Sequence, residues 1–488
     1  MKNFRIPEDY IYDLWMNKKL PSNIQTVDGT EIEIIDPGIR NSDFAGPDFH
    51  NARIRIGNIT FNGDVEIDNF TSDWKAHGHY LNSRYNKTIL HVVLKNNSRK
   101  SFSTNSIGRD IPVLELKNYL DMDKRKELEK NSEKSEDIIM PCIQINHLME
   151  VDEKIKFIRT LGLQRYKKKC LRILDRLKEL VVLREHKVSE PRISHNFIEE
   201  IKGRKFYSKE FNDITFWNQV LYEEIFEALG YTKNKEIMQR LGKSLEYDFI
   251  QKIDSNNFIK KAESALFSIS GLIPPVNKIE DEETLEYVRE LNTNWQELKV
   301  FYNNNYFHLN NWHFYKLRPQ NFPTVRLAAA AKYLHKIFKE NLFNRMVNAF
   351  SKINDLKKIS SLLYDIFIIK AEGYWAKHYN FSKPVRSEIK YFVGLSRVNE
   401  IVTNCILPIL SVYFEIFDKK NEAKKVVNLF VNYTQKESNS LIDKVSTNLH
   451  IYEHRLKSVL YQGMLELFRG YCIKGKCLEC EIGKKIFS

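Results

Sequence analysis

Between Asp36 and Leu94 the chain sets acids and imidazoles into stretches that otherwise read as strands. Asp48 follows a Gly46-Pro47 turn, Asp64, Glu66 and Asp68 alternate with Val65 and Ile67, and Lys75, His77 and His79 come shortly after. Strand alternation places Asp64, Glu66 and Asp68 on one face. Carboxylates that meet at one point are hard oxygen ligands for Mg²⁺, and such an ion activates water and stabilises charge on a scissile phosphate. Asp48 and Glu66 are therefore the expected metal ligands, with Asp68, Glu8 or Glu31 as auxiliaries. Lys75, His77 and His79 are the expected contacts to water or phosphate. The competing reading gives each residue a structural post: Asp48 caps a turn, Glu66 pairs with Arg53 or Arg40, Asp73 caps a helix, and His91 is a hydrogen-bonded core histidine.

A second chemical group sits near the end of the chain. Cys472, Cys477 and Cys480 are spaced C-x4-C-x2-C, a density that suits thiolate ligation of zinc or of an iron–sulfur cluster. The fourth ligand must come from elsewhere. Cys142 is the leading candidate, and Cys170, Cys405, His450 and His454 are alternatives. Arg469, Lys474, Lys476, Lys484 and Lys485 flank the cysteines and suit a nucleic-acid backbone. In WHFYKLRPQNFPTVR (312–326), Arg318 and Arg326 stand among four aromatics. That is either a phosphate- and base-contacting loop or a rigid connection whose aromatics are core and whose arginines cap carbonyls.

These residues need positioning elements. A helix over 7–19 is followed by a strand near 31–35, then a strand through HNARIRI that turns at Gly57-Asn58 into a second running from 59 to about 67. Ser72 is placed to cap a short helix at Asp73-Trp74, and ILHVVL (89–94) reads as a buried strand. In plain register Asp48 opposes Ile67, so Asp48 and Glu66 face apart. A bulge at Asn62-Gly63 instead opposes Asp48 with Asp68 and His50 with Glu66, on one face. Residues 1–120 thus form an α/β domain. Residues 121–137 are almost wholly charged or polar and read as a linker. Residues 138–488 carry helical periodicity, with Gly230 and Gly394 as helix stops.

Hydrophobic content of 42% and charged content of 28% are those of a globular protein. No apolar run is long enough to span a membrane, and acids near the N-terminus argue against a signal peptide, so the expected location is the cytoplasm. The net charge of +13, from 76 Lys and Arg against 63 Asp and Glu, favours a polyanionic partner, DNA or RNA.

The order helix, three strands, helix, strand, with Pro47-Asp48 and Glu66-Ile67-Asp68, resembles the core of the PD-(D/E)xK nuclease superfamily. There an Asp opens the second strand and a D/E-x-K tripeptide lies on the third. The resemblance implies an α+β, restriction-endonuclease-like mixed sheet with flanking helices. Asp68 departs from it, standing where Lys is expected, and Lys75 or His77 is the substitute at hand. RecB-like members of that superfamily carry an iron–sulfur staple of one distant and three clustered cysteines, usually spaced C-x2-C-x5-C, from which this chain also departs. Nearly the whole chain resembles an uncharacterised bacterial family, a domain-of-unknown-function group. The residues that carry this are Gly46-Pro47-Asp48-Phe49, Gly63-Asp64-Val65-Glu66-Ile67, Ser72-Asp73-Trp74, His77-Gly78-His79, Tyr85-Asn86, Leu90-His91-Val92-Val93, Leu317-Arg318-Pro319, Asn321-Phe322-Pro323, Arg326 and the cysteine tail. In such sequences position 68 is more often His. The expected function is a metal-dependent nuclease with Mg²⁺ at Asp48 and Glu66 and an iron–sulfur cluster or zinc at Cys142, Cys472, Cys477 and Cys480. The alternatives are a non-catalytic nucleic-acid-binding protein on a degenerate nuclease fold, and a scaffold with a structural metal.

Overall fold

A computed structural model describes residues 8–18, 20–21, 23–41, 46–76, 79–119, 140–186, 201, 203–231, 233–314 and 317–487. The protein is α+β and divides into two compact units, Met1–Asp137 with His313–Lys316, and Ile138–Trp312 with Leu317–Ser488. The charged segment expected as a linker, 121–137, lies outside the described residues.

The first unit is a mixed sheet ordered β1-β2-β4-β5-β6-β8-β7, with β3 also paired to β4. Its strands are β1 Ile24–Gln25, β2 Glu31–Asp36, β3 Ile39–Arg40, β4 Phe49–Ile56, β5 Ile59–Phe70, β6 Thr88–Lys95, β7 Phe102–Thr104 and β8 Asp110–Glu115. Helix α1, Glu8–Met16, precedes them, and the single-turn helix α2, Asp73–Ala76, follows β5. Strands β2, β4 and β5 run antiparallel, whereas β6 lies parallel to both β5 and β8. Alternation divides β5 and β6 between two faces. Val65, Ile67, Leu90, Val92 and Leu94 join Ile11 and Trp15 of α1 in the main core. The other face carries Glu66, Asp68 and His91. There the β5–β6 connection packs Trp74 and Tyr85 with Ile111. Residues 64–70 of β5 are consequently covered on both sides, which a parallel neighbour and a crossover connection require.

The bulge exists, but in the opposite strand. Ile56 pairs with Ile59 and Ala52 with Gly63, whereas Phe49 pairs with Val65, so the extra residue lies in β4 between Phe49 and Ala52. Asn51 absorbs it in the left-handed conformation, φ 56°, which Asn tolerates better than most residues. Gly63 has a different purpose: a Cβ there would stand 2.5 Å from the Lys87 carbonyl oxygen and from Ile89 Cγ2, where β6 begins alongside.

The second unit is mostly helical, with short strand pairs at 369–370 with 391–393 and at 378–380 with 383–384. The helices used below are α3 Val151–His186, α4 Ile214–Leu229, α5 Pro323–Phe338, α6 Leu395–Ile401, α7 Leu407–Ile416 and α8 Ser458–Leu467. Helix α3 buries Phe157, Ile158, Leu161, Ile173, Leu177 and Leu180 at spacings of three and four. Two π-helical turns continue helices: Val402–Ile406 joins α6 to α7, and Phe468–Cys472 extends α8. Gly230 closes α4 as expected, but Gly394 opens α6 rather than ending a helix.

Candidate metal centres

The shifted register sets Asp48 opposite Glu66, because Phe49 pairs with Val65. The Asp48 backbone N–H donates to Glu66 Oε2 at 3.1 Å. The Asp48 carboxylate accepts the Ile67 N–H at 2.9 Å and the Tyr12 hydroxyl at 2.8 Å. Asp48 therefore holds β5 in place, and its carboxylate is not one of the groups that converge within ligand distance among the described residues. The ligand geometry belongs to Glu66, Asp68 and His79, whose ligand atoms all lie within 4.8 Å of one another, the one such group among the described residues.

His79 reaches this group from a 3-10 turn, His79–Leu81, in the β5–β6 connection. Its ring stacks on Tyr85 at 4.0 Å and meets Trp74 edge-on at 5.3 Å. Tyr85 in turn donates to the Gly46 carbonyl at 3.1 Å, tying the turn before Asp48 to the same connection. His79 Nε2 stands 2.9 Å from Glu66 Oε1 and 3.8 Å from Asp68 Oδ2. Ligands at about 2.1 Å from one ion can be at most about 4.2 Å apart, so both separations fit a single cation.

A further layer fixes Asp68. His91 Nε2 lies 3.2 Å from Asp68 Oδ2, and His91 Nδ1 lies 2.8 Å from Ser103 Oγ. The parallel register explains this: Glu66 pairs with His91 and Asp68 with Val93, while Ser103 is paired with Ile111 on β8. His91 is thus the hydrogen-bonded core histidine that one reading anticipated, but its partner is a candidate ligand. Ser103 had no sequence signal, since nothing along the chain announces that β7 lies two strands from β6. Removing two carboxylates from water costs several kcal/mol per charge unless partners offset it, so Glu66 and Asp68 at this depth demand the surrounding imidazoles or a cation. If the layer tunes a bound ion, Ser103→Ala or His91→Gln is expected to weaken Mn²⁺ binding by about 10- to 100-fold by calorimetry, with His50→Gln as an unaffected control. His50 pairs instead with Asp64, at 3.2 Å.

The remaining expected residues are dispersed. Lys75 is exposed on α2 and His77 lies outside the described residues. Glu31 is exposed at the start of β2, and the Glu8 side chain is outside the described residues. Arg318 is exposed and so are Lys474 and Lys476, the latter 3.0 Å from Glu479. Arg326 is corrected: it is 3% exposed. Its guanidinium donates to the Phe392 carbonyl, to Tyr231 Oη at 2.8 Å and to Asn321 Oδ1 at 2.6 Å. It clamps the start of α5 and offers nothing to a nucleic acid, in line with the reading that gave this segment capping arginines.

In the second unit, Cys142, Cys472, Cys477 and Cys480 line one small pocket with Met140, Tyr471 and Ile482. The other proposed fourth ligands are elsewhere: Cys170 reaches the Pro408 carbonyl and Cys405 the Glu224 carbonyl, while His450 and His454 line a different pocket. Burial raises the Cys142 and Cys480 thiols, and burial together with the neighbouring cysteines pushes Cys472 up to about 12. The backbone N–H groups of Ile482 and Gly483 are directed at Cys480 and act in the opposite sense. Gly483 cannot be larger, because a Cβ there would stand 2.0 Å from the Cys477 carbonyl oxygen.

No curated protein and no solved structure matches the chain. A family model described as "Protein of unknown function (DUF2851)" matches residues 8–188 and 199–440, a span that holds Asp48, Glu66, Asp68, His79 and Cys142. With most of its length matched, the chain belongs to the DUF2851 family.

Proposed function

We propose that the N-terminal unit is a divalent-metal-dependent, nuclease-like hydrolase acting on nucleic-acid phosphodiesters, with Glu66, Asp68 and His79 as the metal ligands. The convergence of those three ligand atoms carries the reading. The imidazole in the set favours Mn²⁺ over the Mg²⁺ that carboxylates alone would suit. A divalent ion there supplies an activated water and charge stabilisation at the scissile phosphate. Glu66 and Asp68 contribute anionic oxygens, His91 and Ser103 orient Asp68, and Asp48 fixes the strand that carries both ligands. Lys75, exposed on the connection that also delivers His79, is the cation available to a phosphate. The element order and the position of Asp48 opposite Glu66 support the likeness to PD-(D/E)xK nucleases. The acid at position 68 favours one second reading, nucleic-acid binding without catalysis.

The test is incubation of the purified chain with single- and double-stranded DNA and RNA under Mn²⁺, Mg²⁺ or EDTA. Metal-dependent cleavage supports the proposal. Salt-sensitive binding without cleavage moves the assignment to the second reading, and neither result removes both.

The cysteine pocket supports an iron–sulfur cluster over zinc. Four thiolates on one Zn²⁺ stand about 3.8 Å apart, given Zn–S bonds near 2.3 Å. No three of these sulfurs meet a 4.8 Å limit among the described residues, whereas thiolates on separate irons of a four-iron cluster stand farther apart. Protein purified without oxygen is expected to contain iron and sulfide with broad absorbance near 400 nm, and Cys142→Ser to lose most of it. Stoichiometric zinc without colour contradicts this assignment.

A further inference from the structure

One cavity in the helical unit, of about 500 Å³, is a site that neither candidate metal centre uses. Its volume is that of a small-molecule pocket, but its lining is not apolar: seven side chains are Lys or Arg and three are Glu. Each of the three acids is already paired with a cation, Glu224 and Glu227 with Arg172 and Glu400 with Arg397. Lys169 has no carboxylate partner among the described residues. Its ammonium reaches only neutral amide oxygens, those of Asn404 and of Gln462, the latter at 3.0 Å. Arg397 is 6% exposed and its Nε has no hydrogen-bond partner among the described residues. Arg469 is exposed at the cavity wall and forms no ion pair among the described residues.

Arg165 and Lys168 pair with Glu466 and Lys235 with Glu227, so the excess positive charge rests on Lys169 and Arg469, and such charge in a recess is unfavourable unless an anion enters. Burial first, and the neighbouring Arg165 and Arg172 next, hold Lys169 down at about 7. The backbone is unusual at the same place. Asn404 lies on the π-helical turn Val402–Ile406 and Arg469 on the turn Phe468–Cys472, and such turns gather at functional sites. Tyr231, in the cavity wall, holds φ 54° with the Arg397 guanidinium 3.2 Å over its ring, a conformation that costs a bulky residue free energy.

We propose that this cavity binds a terminal phosphate, carried either by a nucleotide-sized phosphomonoester or by the phosphorylated end of a nucleic-acid strand. A phosphate dianion matches several convergent cations and N–H donors, and the Arg397 Nε–H and Lys169 are the donors awaiting it.

The experiment is calorimetric titration in EDTA with adenosine 5′-monophosphate, adenosine, and a short oligonucleotide with or without a 5′-phosphate. Phosphate-dependent binding is expected, weakened at least about tenfold by Lys169→Met and by Arg469→Glu. Binding of the mononucleotide assigns a small molecule, and binding of the phosphorylated strand alone assigns a strand end. Arg469 is exposed, so Arg469→Glu decides the matter should Lys169→Met not fold. Glu66→Gln is expected to bind as the unaltered protein does, which separates this site from the metal centre. Absence of any phosphate-dependent binding, or binding indifferent to both variants, overturns the proposal.

Discussion

Glu66→Gln is expected to lower divalent-ion-dependent cleavage of nucleic acid by about 100- to 1,000-fold, the scale lost when one charge-stabilising group leaves a reacting centre. The side chain keeps its size and its Oε2 position can still accept the Asp48 N–H, found at 3.1 Å, so the strand pairing persists. What disappears is the negative charge facing His79 at 2.9 Å and Asp68 beyond it. Asp68→Asn is expected to act similarly. Asp48→Asn is expected to act less through the ion than through the strand, because Asp48 accepts the Ile67 N–H and the Tyr12 hydroxyl. Its signature is a loss of thermal stability alongside activity, whereas Glu66→Gln leaves the melting temperature in the absence of metal nearly unchanged. Equal cleavage by Glu66→Gln and the unaltered protein removes the metal-centre reading.

Gly463→Ala and Gly162→Ala are expected to destabilise the helical unit by about 3 kcal/mol each, on the high side of overpacking costs. Helices α3 and α8 cross with backbone against backbone. A Cβ at Gly162 would stand 1.9 Å from the Val459 carbonyl oxygen, and one at Gly463 would stand 1.9 Å from the Ile158 carbonyl oxygen. The neighbour is main chain in both cases, so no side-chain rotation relieves the clash. Alanine in a helix interior gains about 1 kcal/mol over glycine, which is too little to offset it. Chemical denaturation should show a lower midpoint with an unchanged slope. Because α8 continues into the turn that carries Cys472, loss of bound metal is expected to accompany the instability. A neutral or stabilising Gly463→Ala contradicts the close crossing.

The hairpin through Gly57-Asn58 and the buried strand around His91 were legible because alternation and a two-residue turn are local signals. The gathering of Cys142 with three distant cysteines was legible as a count of ligands. The side of the bulge was not. Asn62-Gly63 carries the usual marks of a bulge, yet Gly63 is small because β6 arrives against it, and the extra residue is taken up at Asn51. A glycine that makes room for a parallel neighbour reads along the chain just like one that marks a bulge. The same gap changed the grouping at the site: the register that put Asp48 beside Glu66 also turned its carboxylate onto Ile67 and Tyr12, while Asp68 and His79 converge on Glu66. Arg326 looked available because a charged side chain among prolines reads as a loop, but its guanidinium is claimed by Asn321 in the same segment and by Phe392 and Tyr231 from two distant stretches. The cationic face of α3 acquires meaning only once α4, α6 and α8 are known to enclose it.

The most direct measurement is anomalous diffraction at the manganese edge from crystals of the full chain soaked in Mn²⁺. The account predicts one strong peak about 2.1–2.2 Å from Glu66 Oε1, Asp68 Oδ2 and His79 Nε2, absent in crystals of Glu66→Gln. A soaked crystal with those three side chains in place and no peak between them contradicts it.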